Sequence, residues 1–98
     1  MVRIIAVGIL RTYWEMHRDA EEPLKAWFRE AAAAEWQTPH DVKSMYRNAS
    51  VIGDSRVVFN IAGNKYRLIV KFNYPYGVGY IRFIGTHAEY DEINAEEI

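Results

Sequence analysis

The stretch that decides the fold is Val57-Val58-Phe59-Asn60-Ile61-Ala62-Gly63-Asn64-Lys65-Tyr66-Arg67-Leu68-Ile69-Val70-Lys71-Phe72. Two runs of period two flank a Gly-Asn pair. Val57, Phe59 and Ile61 alternate with Val58 and Asn60; Tyr66, Leu68, Val70 and Phe72 alternate with Arg67, Ile69 and Lys71. Side chains leave a strand on alternate sides, so each run presents one apolar face to a core. Gly63 and Asn64 tolerate the positive φ of a two-residue hairpin turn. That loop pairs Ala62 with Lys65 and sets Asn60 opposite Arg67. Strands are expected over 56–62 and 65–74. Pro75-Tyr76-Gly77 marks the next turn, and Val78 to Gly85 forms a further strand, with Ile81 and Phe83 alternating against Tyr80 and Arg82. A loop of two or four residues here keeps Arg82 on the face of Arg67 and Lys71, and a loop of three sends it to the other. The turn residues admit either parity; the working expectation is that Arg67 and Arg82 converge.

Upstream the period changes. Val2 to Gly8 is an apolar run that reads as a first strand. Leu10, Tyr13, Trp14 and His17 then recur at helical spacing, as do Leu24, Trp27, Phe28 and Ala31. Asp19 with Glu22 has the form of a capping box for the second of these helices, with Pro23 tolerated in its first turn. Thr38-Pro39 with Asp41 predicts a third, short helix carrying Val42, Met45 and Tyr46. Downstream, Thr86 with Glu89 is another capping box, placing His87 on a first helical turn and Tyr90 one turn above it. The order β-α-α(-α)-β-β-β-α gives an α+β fold: an N-terminal strand and helices packed on a mostly antiparallel sheet, with a C-terminal helical turn.

With 98 residues, half of them apolar, the chain suits one domain over residues 1–98. There is no Cys, hence no disulfide, thiolate nucleophile or thiolate metal site. Ile4 to Leu10 is too short for a membrane span and lacks the cleavage site of a leader, so a cytoplasmic protein is expected. Zinc-ligand spacings, a phosphate loop, a dinucleotide fingerprint and a calcium loop are all missing.

The formal net charge is only −1, yet the charges are segregated. Residues 55–88 hold Arg56, Lys65, Arg67, Lys71 and Arg82 and no acid; residues 89–98 hold Glu89, Asp91, Glu92, Glu96 and Glu97 and no base. Cations interleaved with Tyr74, Tyr76 and Tyr80 suit a phosphate backbone and stacked bases. They also suit a solvated sheet edge, which the net charge of −1 favours over a nucleic-acid binder, and charge alone does not decide between the two. The acidic end either shields the basic patch or solubilises the chain.

Taken together, Val58 to Arg67, Tyr80-Ile81-Arg82 and Thr86-His87-Ala88-Glu89-Tyr90-Asp91 resemble the HigB family of toxins, within the RelE-like group of type II toxin–antitoxin systems. The first strand, the Trp-bearing helices and the 46–52 segment fall in the same order, so the resemblance covers most of the chain. The motifs are specific in combination, and each alone, such as the Gly-Asn turn, is weak. The resemblance implies a RelE-like fold and an endoribonuclease (an mRNA interferase) that cleaves mRNA on the ribosome and inhibits translation. It implies no metal, no cofactor and no membrane. It also implies a HigA-like helix-turn-helix antitoxin as partner, a hetero-tetramer being one assembly open to the pair. The near-neutral charge departs from the strongly basic character of many RelE-like toxins and bears on the strength of RNA binding.

Metal-free cleavage uses the RNA 2′-hydroxyl as nucleophile; the protein aligns the attack, moves protons and offsets phosphorane charge. Arg67 and Arg82 suit the last task, because a guanidinium is always charged and binds two phosphate oxygens. His87 suits proton transfer, and Tyr90 suits stacking, hydrogen bonding or proton transfer. Lys65, Lys71, Arg56 and Tyr80 are the expected further RNA contacts. Outside this setting His87 reads as a solvent-facing first-turn residue and Tyr90 as a core anchor. Trp14, Trp27 and Trp36 read as core or antitoxin-facing anchors, and His17 and His40 as isolated. The competing reading is a non-catalytic RNA- or protein-binding domain of the same fold.

Overall fold

The computed structural model describes residues 2–53 and 55–98. Along the chain run β1 (Arg3–Ile5), α1 (Val7–Met16), a 3-10 turn (Arg18–Ala20), α2 (Glu21–Ala33), α3 (Pro39–Met45), β2 (Ser50–Ile52), β3 (Arg56–Ile61), β4 (Tyr66–Asn73), a second 3-10 turn (Tyr74–Tyr76), β5 (Val78–Thr86) and α4 (His87–Asp91). The strands form one five-stranded sheet in the order β1-β5-β4-β3-β2. It is antiparallel except for the β1–β5 pair.

One face of the sheet meets the helices. Leu10 of α1, Leu24, Trp27 and Ala31 of α2 and Val42 of α3 are buried against Val57, Phe59 and Ile61 of β3 and Leu68, Val70 and Phe72 of β4. Phe59 is the hub: Trp27, Trp36 and Tyr46 pack on its ring at centroid distances of 5.2, 6.2 and 5.2 Å. Burying side chains of this size stabilises by about 1.5–3 kcal/mol each, which is how so short a chain offsets the entropy of ordering it. Trp27 and Trp36 are therefore core residues, whereas Trp14 is half-buried under the Lys25 ammonium.

Several local expectations need correction. The first strand stops at Ile5 and α1 starts at Val7, because the 3–4 spacing of apolar residues extends back from Leu10. Asp19 does not cap α2, whose N-cap is Ala20 without a side-chain bond; its carboxylate instead takes Lys65 and the Tyr66 hydroxyl. A short edge strand, β2, was not legible in the three residues Ser50-Val51-Ile52. Met45 faces solvent. His17 is not isolated, since its ring stacks on Tyr13 at 4.1 Å. The hairpin register is as expected, with Asn60 opposite Arg67, but positive φ falls on Ala62 and Gly63 rather than on Gly63 and Asn64. The capping boxes at Thr38–Asp41 and Thr86–Glu89 both form.

The β4–β5 connection spans residues 74–77, because Asn73 pairs with Val78, and Gly77 takes the left-handed conformation that closes it. Four residues give the parity that keeps Arg82 with Arg67. A bulge follows: Ile69 pairs with Phe83 while Val70 pairs with Ile81, leaving Arg82 as the extra residue. The bulge moves Phe83 off the core face expected for it and puts Ile84 there beside Ile81.

Candidate functional site

The face of the sheet turned away from the helices reads as three rows. Asn60, Arg67 and Gly85 lie across β3, β4 and β5 in the first; Ser50, Val58, Ile69 and Phe83 form the second; Ile52, Arg56, Lys71 and Tyr80 form the third. First and third rows are four strand residues apart, about 13 Å. Four cations, Arg56, Arg67, Lys71 and Arg82, thus share one face, without an acid in any of the three strands.

At the first row the groups come from three directions. Arg67 is half-buried; its Nη1 donates to the Asn64 carbonyl at 3.2 Å, and its guanidinium lies 6.0 Å from the centre of the Tyr90 ring. That stack is a cation–π contact, and it fixes both side chains. His87 is the first residue of α4, and its Nδ1 lies 3.1 Å from Asp91 Oδ2 one turn on. The helix exists because Thr86 Oγ1 accepts from the Glu89 N–H at 3.2 Å and Glu89 Oε1 accepts from the Thr86 N–H at 2.7 Å. Asp91 went unread in the sequence; its signal was the i, i+4 spacing from His87.

The third row opens into a cleft of about 480 Å³ lined by Ser55, Lys71, Asn73, Tyr74, Tyr80 and Arg82 among others. Tyr80 is exposed, and Lys71 is its cross-strand partner. Arg56, 9% exposed, donates from Nε and Nη2 to the main-chain oxygen of Ile98 at 3.0 and 2.9 Å. Arg82 Nε reaches the same oxygen at 3.4 Å. The two guanidinium groups therefore converge on one acceptor, and the bulge is what aims Arg82 there.

Lys65 does not join this face. Its ammonium pairs with Asp19 beside the helices, and with the Tyr66 hydroxyl it holds the Asp19 carboxyl below its ordinary range. In return the Asp19 hydrogen bond, with burial, pushes Tyr66 up to about 12. Tyr13, which packs edge-on against Tyr66, is pushed up to about 12, first by burial and then by the Glu89 charge.

The family model of the HigB toxins, the RelE-like toxic component of a toxin–antitoxin system, matches residues 20–93, well over half of the chain. The chain belongs to the HigB toxin family. No curated protein matches it in sequence. The matched span runs from the end of the first 3-10 turn through α4, so it takes in every row of the open face and all four residues Arg67, Arg82, His87 and Tyr90. As a HigB toxin the chain has an antitoxin as partner. No helix among the described residues is long and apolar enough to cross a membrane. Nor do those residues hold a cluster of three or more His, Asp or Glu side chains placed for a metal ion.

Proposed function

We propose that this HigB toxin is an endoribonuclease that cuts mRNA, with the ribosome presenting the strand, and so arrests translation in the bacterial cytoplasm. The observation that carries the reading is the gathering of Arg56, Arg67, Lys71 and Arg82 on the open face, between an exposed Tyr80 and the Arg67–Tyr90 stack. Phosphates seat on the guanidinium groups, and bases stack on the tyrosines. A positive field aimed where phosphorane charge develops is the largest contribution such a site makes.

The nucleophile in this reading is the RNA 2′-hydroxyl, which attacks the adjacent phosphorus and expels the 5′-oxygen, leaving a 2′,3′-cyclic phosphate. His87 takes the 2′-hydroxyl proton as the bond to phosphorus forms, and the expelled 5′-oxygen takes a proton from water to leave as a hydroxyl. His87 Nδ1 is held by Asp91, which orients the ring and leaves Nε2 as the exchanging nitrogen. Arg67, in the row of His87 and Tyr90, neutralises the phosphorane, Arg82 seats a further phosphate of the strand toward the third row, and Tyr90, in contact with Arg67, stacks on a base or hydrogen-bonds the phosphate. The partner in this reading is a HigA-like helix-turn-helix antitoxin.

A second reading, a binding domain without chemistry, is favoured by the net charge of −1 and by the occupation of Arg56 and Arg82 by the chain's own Ile98. Inducible expression separates the two. Growth arrest with new mRNA 5′ ends, both lost in Arg82→Ala and His87→Ala, is expected of the nuclease. Soluble, folded wild type that neither arrests growth nor cuts mRNA selects the binding domain.

A further inference from the structure

The second row of the open face is buried although no α1–α3 side chain reaches it. Val58 is 4% and Ile69 0% exposed, yet both lie outside the core cluster that the helices seal. The C-terminal segment runs along this same face. It leaves α4 one residue past Tyr90, the ring that Arg67 meets, lines a shallow groove beside Ile52 through Ile93, Ala95 and Glu96, and brings the Ile98 oxygen to Arg56 and Arg82.

This segment is built rather than trailing. The Asn94 carbonyl accepts from the N–H groups of Glu97 and Ile98 at 3.1 and 3.2 Å, and Asn94 Oδ1 accepts from the Glu96 N–H at 3.1 Å. Ile93, Ala95 and Ile98 are half-buried, while Glu92, Glu96 and Glu97 are exposed. The segment thus spans the open face from the first row to the third, bringing an acceptor to the two guanidinium groups and negative charge above a basic face.

We propose that the acidic segment 92–98 is a self-inhibitory strap that occupies the phosphate-binding face until RNA displaces it. The inference rests on the reading of that face as an RNA site. Strap and RNA backbone compete for the same donors: Arg56 and Arg82 cannot saturate both the Ile98 oxygen and a phosphate. Each also brings negative charge that the other repels. Displacement by an anion loses three charge-assisted hydrogen bonds and regains them on phosphate oxygens, so it is an exchange between similar bonds. The near-neutral net charge follows from the same arrangement, since residues 89–98 carry five acids against five bases in residues 55–88.

The chain lacks Cys, so Glu97→Cys in the full-length chain accepts a single spin label on the strap. The probe is a short single-stranded RNA with 2′-O-methyl riboses, which binds without being cut. The strap account expects an immobilised label in the free protein that becomes mobile as RNA saturates the site. A second full-length variant, Asn94→Ala, loosens the turn and should bind the RNA about fivefold tighter. RNA binding that leaves the label immobile, or a label already mobile without RNA, overturns the strap and leaves the nuclease reading intact. Binding by Asn94→Ala alone supports the strap. Failure of both chains to bind RNA, with no cutting of mRNA presented by ribosomes, removes the RNA site itself and the strap with it.

Discussion

Thr86→Val removes one oxygen from the molecule and tests how the site is assembled. Valine keeps the β-branched shape that suits the end of β5, but it cannot accept from the Glu89 N–H. Loss of an N-cap acceptor costs about 0.5–2 kcal/mol, typically ~1. The helix at stake has five residues, far fewer than the roughly 12–15 that an isolated helix needs in water. Its stability is therefore borrowed from the capping box and from the Arg67–Tyr90 stack. A loss of ~1 kcal/mol raises the population of unwound α4 about fivefold. Native-state hydrogen exchange reads this directly. Protection should fall about fivefold at the N–H groups of Glu92 and Ile93, which donate to Glu89 and Tyr90, with β3 and β4 unaffected. Were the same free energy taken from global unfolding, Tm would drop by about 4–8 °C; local opening lowers it by less. Activity should fall by less than that factor, because His87 and Tyr90 ride on α4 and activity follows the fraction of molecules that keep it wound. Unchanged protection at residues 92–93, or an equal loss across the sheet, refutes the reasoning.

Trp27→Ala, at a site 2% exposed against Phe59, should cost about 3–5 kcal/mol, read as a lowered urea midpoint; a loss below about 1 kcal/mol contradicts the assigned core. Gly79→Ala would set a Cβ 3.0 Å from Phe72 Cε1 and 3.1 Å from Val70 Cγ1, both on buried residues, and should destabilise by about 1–3 kcal/mol in the same assay. For pH, Asp19 is held below its unfolded value of about 3.9. Its contribution is therefore complete above about pH 4 and disappears as pH falls through the lowered native value. Asp19→Asn should reduce the urea midpoint at neutral pH, with the gap to wild type closing in acid; a gap that persists in acid contradicts the linkage. Tyr66 runs the other way: raised to about 12, it contributes fully below about pH 10 and loses that contribution as pH climbs through the native value.

The hairpin and the helices were legible because their signals are local. The alternation across Val57 to Phe72 and the Gly63-Asn64 turn give the β3–β4 register without any other part of the chain. Thr38 and Thr86 likewise carry their capping partners three residues away. What stayed hidden depends on neighbours distant in sequence. Asp19 looked like a cap because Glu22 follows it, but Lys65 and Tyr66 outbid the helix N-terminus for its carboxylate. The bulge at Arg82 has no glycine to announce it, so Phe83 was assigned to the core by simple parity. Ser50–Ile52 becomes a strand only because β3 offers it an edge. At the candidate site, sequence named the cations and His87, but neither the Asp91 contact nor the meeting of Arg56 and Arg82 on Ile98 could be read from it.

The central claim is that the open face cuts RNA through the RNA's own 2′-hydroxyl. Its most direct measurement is the chemistry of the ends left when purified protein acts on mRNA presented by ribosomes. The account predicts a 2′,3′-cyclic phosphate on one fragment and a 5′-hydroxyl on the other, with both ends absent for Arg82→Ala and His87→Ala. Fragments bearing 5′-phosphates and 3′-hydroxyls would contradict it.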